Sequence, residues 1–207
     1  MKALVLCLLL ALDAQGPALV FHGTKGPVPE EVAARMRQHS WHEGCPTPIA
    51  ELSYLRLSYL GFDGAAHEGK LVVHRDLAEE VVAIFKVLFQ RRFPIEKMRL
   101  IDDYGGDDEA SMADNNTSGF NCRFVPGKPG VYSKHSLGRA IDINPRQNPM
   151  ITSGAAKPPA GVEYSDRRKN RPGMVRAKDV VVREFGRRGW KWGGNWVSLK
   201  DYQHFEK

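Results

Sequence analysis

Ser133-Lys134-His135-Ser136-Leu137-Gly138-Arg139-Ala140-Ile141-Asp142-Ile143-Asn144 is the stretch that organises this chain, and its counterpart is the closing Asp201-Tyr202-Gln203-His204. From Arg139 to Asn144 small or polar residues alternate with apolar ones. A strand there would turn Ala140, Asp142 and Asn144 to one face and send Ile141 and Ile143 into the core. Gly138 and Ala140 are small enough to leave room for His135, in the preceding turn, to fold back toward Asp142. His135, Asp142 and His204 then form an N/O/N set suited to one zinc ion that keeps an open position, with Asp201 beside the last ligand as a base. In a regular strand Asp201 and His204 would face opposite sides, so a turn or bulge must separate them.

The 207 residues suit one domain with a sizeable core, or one domain plus an extension. Formal charge is +6, which suits nucleic acid, an anionic membrane or an acidic polymer such as a bacterial cell wall. The Lys and Arg residues are scattered along the sequence rather than striped, and no nucleic-acid motif is present, so a nucleic-acid partner is not expected. Residues 1–16, one basic residue followed by an apolar run and small residues, have the form of a signal peptide and are too short for a stable membrane span; a buried N-terminal element of a cytosolic protein is the alternative. Residues 17–47 form an N-terminal extension and 48–207 the main domain.

Export would remove Cys7 and leave Cys45 and Cys122, which can pair in an oxidising compartment. Two buried thiols are the alternative, and a cysteine metal ligand is the weakest option because two imidazoles and a carboxylate already complete a set.

Local patterns fill in a scaffold. Pro29 to His39 reads as a short helix. Tyr54–Leu60 and Lys70–His74 read as strands of a hairpin joined through Gly61–Gly69. Asp76, with Glu79 three residues on, has the form of a capping box for a core helix carrying Leu77, Val81, Ile84, Phe85, Leu88 and Phe89 and ending before Pro94. Lys97–Asp102 reads as a strand, Tyr104–Asn115 as a solvated acidic loop without calcium-ligand spacing, and Val175–Arg188 as a helix. Residues 146–172, rich in Pro and Gly, read as one wall of an open groove or as a disordered insertion. Trp190, Trp192 and Trp196 surround Gly193-Gly194; the first two read as core, and Trp196 as a candidate lining of the substrate groove.

The pattern S-x-H-x-x-G-x-A-x-D followed by D-x-x-H resembles the zinc-dependent D-alanyl-D-alanine carboxypeptidase family, which includes VanX/VanY-type peptidases and L-alanyl-D-glutamate endopeptidases. Asn116–Arg123 and Trp190–Trp196 extend the resemblance over roughly residues 40–207. The resemblance implies an α+β domain of Hedgehog/DD-peptidase type, a central and mainly antiparallel sheet flanked by helices. It also implies a secreted, monomeric metallopeptidase of the cell wall or periplasm, acting on peptidoglycan stem peptides as carboxypeptidase or endopeptidase. Ser118 would contact substrate, and Arg123 would stabilise the oxyanion through its paired N–H donors; a surface salt bridge is the structural alternative for Arg123. The chain departs from the family in placing Asn121 and Cys122 ahead of that arginine and in having Asp201 where several members have glutamate. A non-catalytic zinc-bearing module of the same fold is the other reading.

Overall fold

The alternating segments on either side of Gly61 pair as a long hairpin because each presents one apolar face, and their register keeps Leu55, Leu57, Leu71 and Val73 buried. In the computed structural model, which describes residues 19–207, strands β1 (Gly23–Pro27), β2 (Leu52–Leu60) and β3 (Ala66–His74) form an antiparallel sheet in the order β1-β2-β3. The residues read as a signal peptide lie outside the described residues. Helix α1 (Glu30–Gln38) precedes the hairpin and α2 (Ala78–Gln90) follows it. Val81, Ile84, Phe85 and Leu88 of α2 pack on the apolar face of the sheet, each such burial contributing about 1.5–3 kcal/mol.

The start of α2 differs from the sequence reading. A 3-10 turn over Arg75–Leu77 comes first, and His74 occupies the extended capping position, its Nδ1 accepting from the Asp76 amide at 3.3 Å. Because β3 runs directly into the helix, the cap falls on the last strand residue and no capping box forms around Asp76. The strand read over Lys97–Asp102 shortens to β4 (Lys97–Met98) before a 3-10 turn over Ile101–Tyr104. The acidic stretch is not a loop throughout: the Asp107 side chain accepts from the amides of Glu109 and Ala110 and starts α3 (Asp108–Ala113), where the carboxylates favour a helix N-terminus.

Further along come β5 (Asn116–Thr117), β6 (Phe124–Val125), β7 (Lys128–Tyr132), β8 (Ala140–Asp142), β9 (Met150–Thr152), β10 (Ala155–Lys157), α4 (Val180–Gly186), β11 (Lys191–Trp192), β12 (Lys200–Asp201) and β13 (His204–Glu206). These strands do not build one central sheet. Among the described residues they form sheets ordered β11-β13-β8 and β10-β9-β12, with β4-β5 and β6-β7 as two-stranded pieces; only β4-β5 is parallel. Gly193-Gly194, Pro145 and Pro149 interrupt the chain every few residues, which keeps these strands short. The architecture is therefore mixed α/β with mainly antiparallel sheets and few helices.

The rim segment 146–172 is ordered through β9, whose Met150 and Ile151 pair with Asp201 and Lys200. The last helix is shorter than the sequence reading because Asp179 accepts from the amides of Val182 and Arg176 and fixes the helix start at Val180.

Cys45 and Cys122 are joined by a disulfide across 77 residues of sequence. Chain-entropy reasoning assigns closure of a loop of that size about 4 kcal/mol. A Cys45→Ser, Cys122→Ser double variant should unfold at a correspondingly lower urea concentration, and reductant should lower the wild-type midpoint without moving that of the variant. A midpoint insensitive to both would remove the bridge from the stability account.

Candidate metal centre

β8 and β13 lie side by side, and their register sets Asp142 directly opposite His204. The two side chains therefore emerge on the same face of the pair, within cross-strand reach. His135 arrives from the 3-10 turn Lys134–Leu137, which Ser133 caps and Gly138 ends at φ +63°. Gly138 has a second reason to be glycine: a Cβ there would lie 2.5 Å from the His74 nitrogen, whose N–H donates to the Gly138 carbonyl. The turn is held close against β3, and His135 is aimed back over β8. Asp201 and His204 are separated by the bend Tyr202-Gln203 between β12 and β13, the interruption that the motif requires.

The three donors converge. Asp142 Oδ1 lies 2.9 Å from His204 Nδ1, Asp142 Oδ2 lies 3.2 Å from His135 Nε2, and the two ring nitrogens are 3.3 Å apart. All three side chains are buried. Two imidazoles and one carboxylate at these separations have the composition and convergence of a zinc site with a free position.

Outer contacts orient both rings. His135 Nδ1 lies 2.6 Å from the Gly119 carbonyl, to which it donates, leaving Nε2 for the centre. His204 faces the centre with Nδ1, and its Nε2 lies 3.3 Å from Glu206 Oε2. Glu206 escaped the sequence reading, although a His-x-Glu pair on a strand puts both side chains on one face and is a usable signal. The Gly119 carbonyl left no signal, since any residue supplies one. Loss of such an outer partner typically costs about 10–100-fold in metal affinity. Glu206→Gln should accordingly weaken zinc binding by that factor in a competition titration with a chromophoric chelator; an unchanged affinity would make Glu206 a bystander.

Electrostatics follow from burial and pairing. Burial raises the Asp142 carboxyl, but the charges and hydrogen bonds of His135 and His204 outweigh it and hold the group well below the usual carboxylate range. Burial disfavours the His204 cation, yet hydrogen bonds to Asp142 and Glu206 push its pKa up to about 10. Burial pushes Asp201 up to about 7, with the Asp142 charge adding to the shift and the His204 charge opposing it. Asp201 Oδ1 is buried with no hydrogen-bond partner. Gly193 makes room beside it, since a Cβ at that position would meet the Asp201 carbonyl oxygen at 2.6 Å.

The remaining candidates are distributed around this centre. Ser118 is buried and exchanges backbone hydrogen bonds with Asp142 at 3.0 and 2.9 Å, so its backbone brackets the ligand strand. Arg123 is tied to the His135 turn: its amide donates to Ser136 Oγ at 2.8 Å and its carbonyl accepts from the same hydroxyl at 2.7 Å. Its guanidinium pairs with Asp108 of α3 at 2.9 Å, a half-buried ion pair, while Nε has no partner. Trp196 lies with its ring centroid 5.3 Å from that of His204, half-exposed beside the ligand. Trp190 and Trp192 are buried and donate to Glu80 and to the Tyr202 carbonyl.

No curated protein and no solved structure matches the chain. Residues 126–207, a stretch that carries all three candidate ligands and Asp201, match the family model described as D-alanyl-D-alanine carboxypeptidase.

Proposed function

We propose that the protein is a secreted zinc peptidase that cuts stem peptides of the bacterial cell wall, at a terminal D-Ala–D-Ala bond or at an L-Ala–D-Glu bond. The observation that carries this reading is the convergence of His135, Asp142 and His204 within 4.8 Å, beside a buried carboxyl whose pKa stands at about 7. A proton-transfer role accounts for an Asp201 oxygen left buried without a hydrogen-bond partner beside the three donors, which a binding module without turnover does not require.

His135 Nε2, His204 Nδ1 and one or both Asp142 oxygens would hold the ion. Zinc, when bound, supplies Lewis acidity, which polarises a carbonyl and makes water a stronger acid. The chain's own groups do the rest. Asp201 accepts the proton of the attacking water on a carboxylate oxygen and delivers it to the leaving amine nitrogen. Arg123 swings its free donor edge from Asp108 toward the charge that develops on the scissile oxygen. Trp196, stacked at an angle against the His204 ring, supplies an apolar wall for the peptide.

The deciding experiment is digestion of purified cell-wall fragments by zinc-loaded protein, with and without a chelator, and identification of the new termini by mass spectrometry. Loss of a terminal D-Ala or appearance of an N-terminal D-Glu, both abolished by chelation, is the expected result. Zinc-loaded protein that leaves every muropeptide intact would sink the proposal.

A further inference from the structure

Basic residues far apart in sequence meet in one cleft of about 840 Å³ between the end of α2, the loop ahead of α4 and the β11–β12 connection. Arg91, Arg92, Arg171, Arg176, Lys178 and Lys200 line it, with Arg167, against a single carboxylate, Asp179. Among the described residues only Arg171 of these seven is ion-paired, with Glu163 at 3.4 Å. The volume lies in the range of ordinary ligand sites. None of His135, Asp142, His204 or Asp201 lines the cleft, so it is distinct from the candidate metal centre.

Two further features mark the cleft as more than a solvated basic face. Arg167 is half-buried, and its guanidinium donates only to neutral acceptors: the carbonyls of Gln147, Tyr164 and Val175 and the Asn148 side chain. Its plane sits 4.3 Å above the Tyr202 ring. Burial lowers its pKa to about 10, with the neighbouring Arg176 charge acting in the same direction and Tyr202 and Asp179 opposing it. Moreover, Arg92 and Lys178 are held at φ +56° and +67°, a conformation uncommon outside glycine that recurs at ligand sites.

From this juxtaposition of guanidinium and ammonium groups around one concave wall, all but Arg171 without an ion-pair partner among the described residues, we infer that the cleft binds a phosphodiester-linked polyanion lacking bases, of the kind that makes a bacterial wall anionic. Guanidinium groups match phosphate oxygens in bidentate fashion. Single-stranded nucleic acid is disfavoured because it needs free aromatic platforms. The cleft offers none: Phe93 and Trp192 are buried and Tyr202 is covered by Arg167. An anion-binding cleft apart from the metal centre would hold the protein on the wall, independently of whether the metal reading is correct.

The test uses the full chain with chelator present, so that the metal centre takes no part. Fluorescence anisotropy measures binding of a labelled glycerol-phosphate oligomer, with poly-glutamate and oligothymidylate of equal charge as comparators. Arg91→Gln, Arg92→Gln and Arg176→Gln are combined in one variant, since their side chains make no hydrogen bond among the described residues. Arg37→Gln, Lys70→Gln and Arg75→Gln form a charge-matched control away from the cleft. The cleft variant should lose at least about tenfold in affinity, with a salt slope shallower by about 2, at about 0.7 per phosphate contact. The control should stay within about twofold of wild type in affinity, with both variants melting like wild type. Equal losses in the two variants, a cleft variant that fails to fold, or poly-glutamate bound as tightly as the phosphodiester would each overturn the site. Tighter binding of oligothymidylate would overturn the assigned ligand.

Discussion

Asp201→Asn should leave zinc content unchanged and lower kcat by about 10²–10⁴, the range that a positioned proton-transfer group contributes. The amide keeps the shape of the carboxyl but cannot accept and return a proton. Burial is what suits Asp201 to proton transfer, because it raises the carboxyl from the ordinary carboxylate range to about 7, where both protonation states are accessible at working pH. The base form is the deprotonated one, so kcat/KM in the wild type should rise with pH through the Asp201 titration and then level. A bound divalent cation favours the carboxylate, which places that acidic limb at or below about 7. In Asp201→Asn the limb should vanish together with the rate. Asp201→Glu, restoring a carboxyl on a longer arm, should recover part of the turnover and bring the limb back. If instead the asparagine variant loses its metal, Asp201 is a ligand or a support for one, and the assignment as base fails.

The parts of this site that the sequence made legible are those whose chemistry is local. Alternation from Arg139 to Asn144 reports a strand with Asp142 on the face opposite Ile141, and β8 follows it over Ala140–Asp142, with both faces buried. The requirement for a break between Asp201 and His204 follows from strand periodicity alone, and the bend at Tyr202-Gln203 meets it. What sequence could not carry depends on partners distant in the chain. The Asp108–Arg123 ion pair spans two elements with no shared periodicity. The side-chain cap falls on His74, at the 3-10 turn that leads into α2, because of how β3 enters that turn, which no local pattern of Asp76 and Glu79 encodes. Basic residues that look scattered from Arg91 to Lys200 become neighbours only when α2, the loop ahead of α4 and β12 are packed together. Among the described residues the single central sheet expected from the family resemblance is divided into several short sheets, and most strands of the second half run only two or three residues.

Asp142→Asn should abolish turnover and weaken zinc binding by more than the 10–100-fold that loss of an outer partner typically costs, and it should also change the proton balance of binding. Without a cation, the buried Asp142 carboxylate and Glu206 keep a proton on His204, whose pKa is raised to about 10. A coordinating imidazole must be neutral, so zinc has to displace that proton. Wild-type binding near pH 7 should therefore release at least about one proton, and affinity should climb by about tenfold per pH unit between pH 6 and 8, since the competing protonation lies well above that window. Titration calorimetry in two buffers of different ionisation enthalpy reads the released proton directly. In Asp142→Asn the nearest carboxylate that sustained the imidazolium is gone, so burial is opposed only by Glu206 and the Asp201 charge and the His204 pKa falls. The residual weak binding should then lose much of its proton release and its pH slope. A variant that binds zinc as tightly as wild type would show that Asp142 is not a ligand. A wild type that binds without releasing a proton would show that the centre does not hold the buried imidazolium on which this account of its assembly depends.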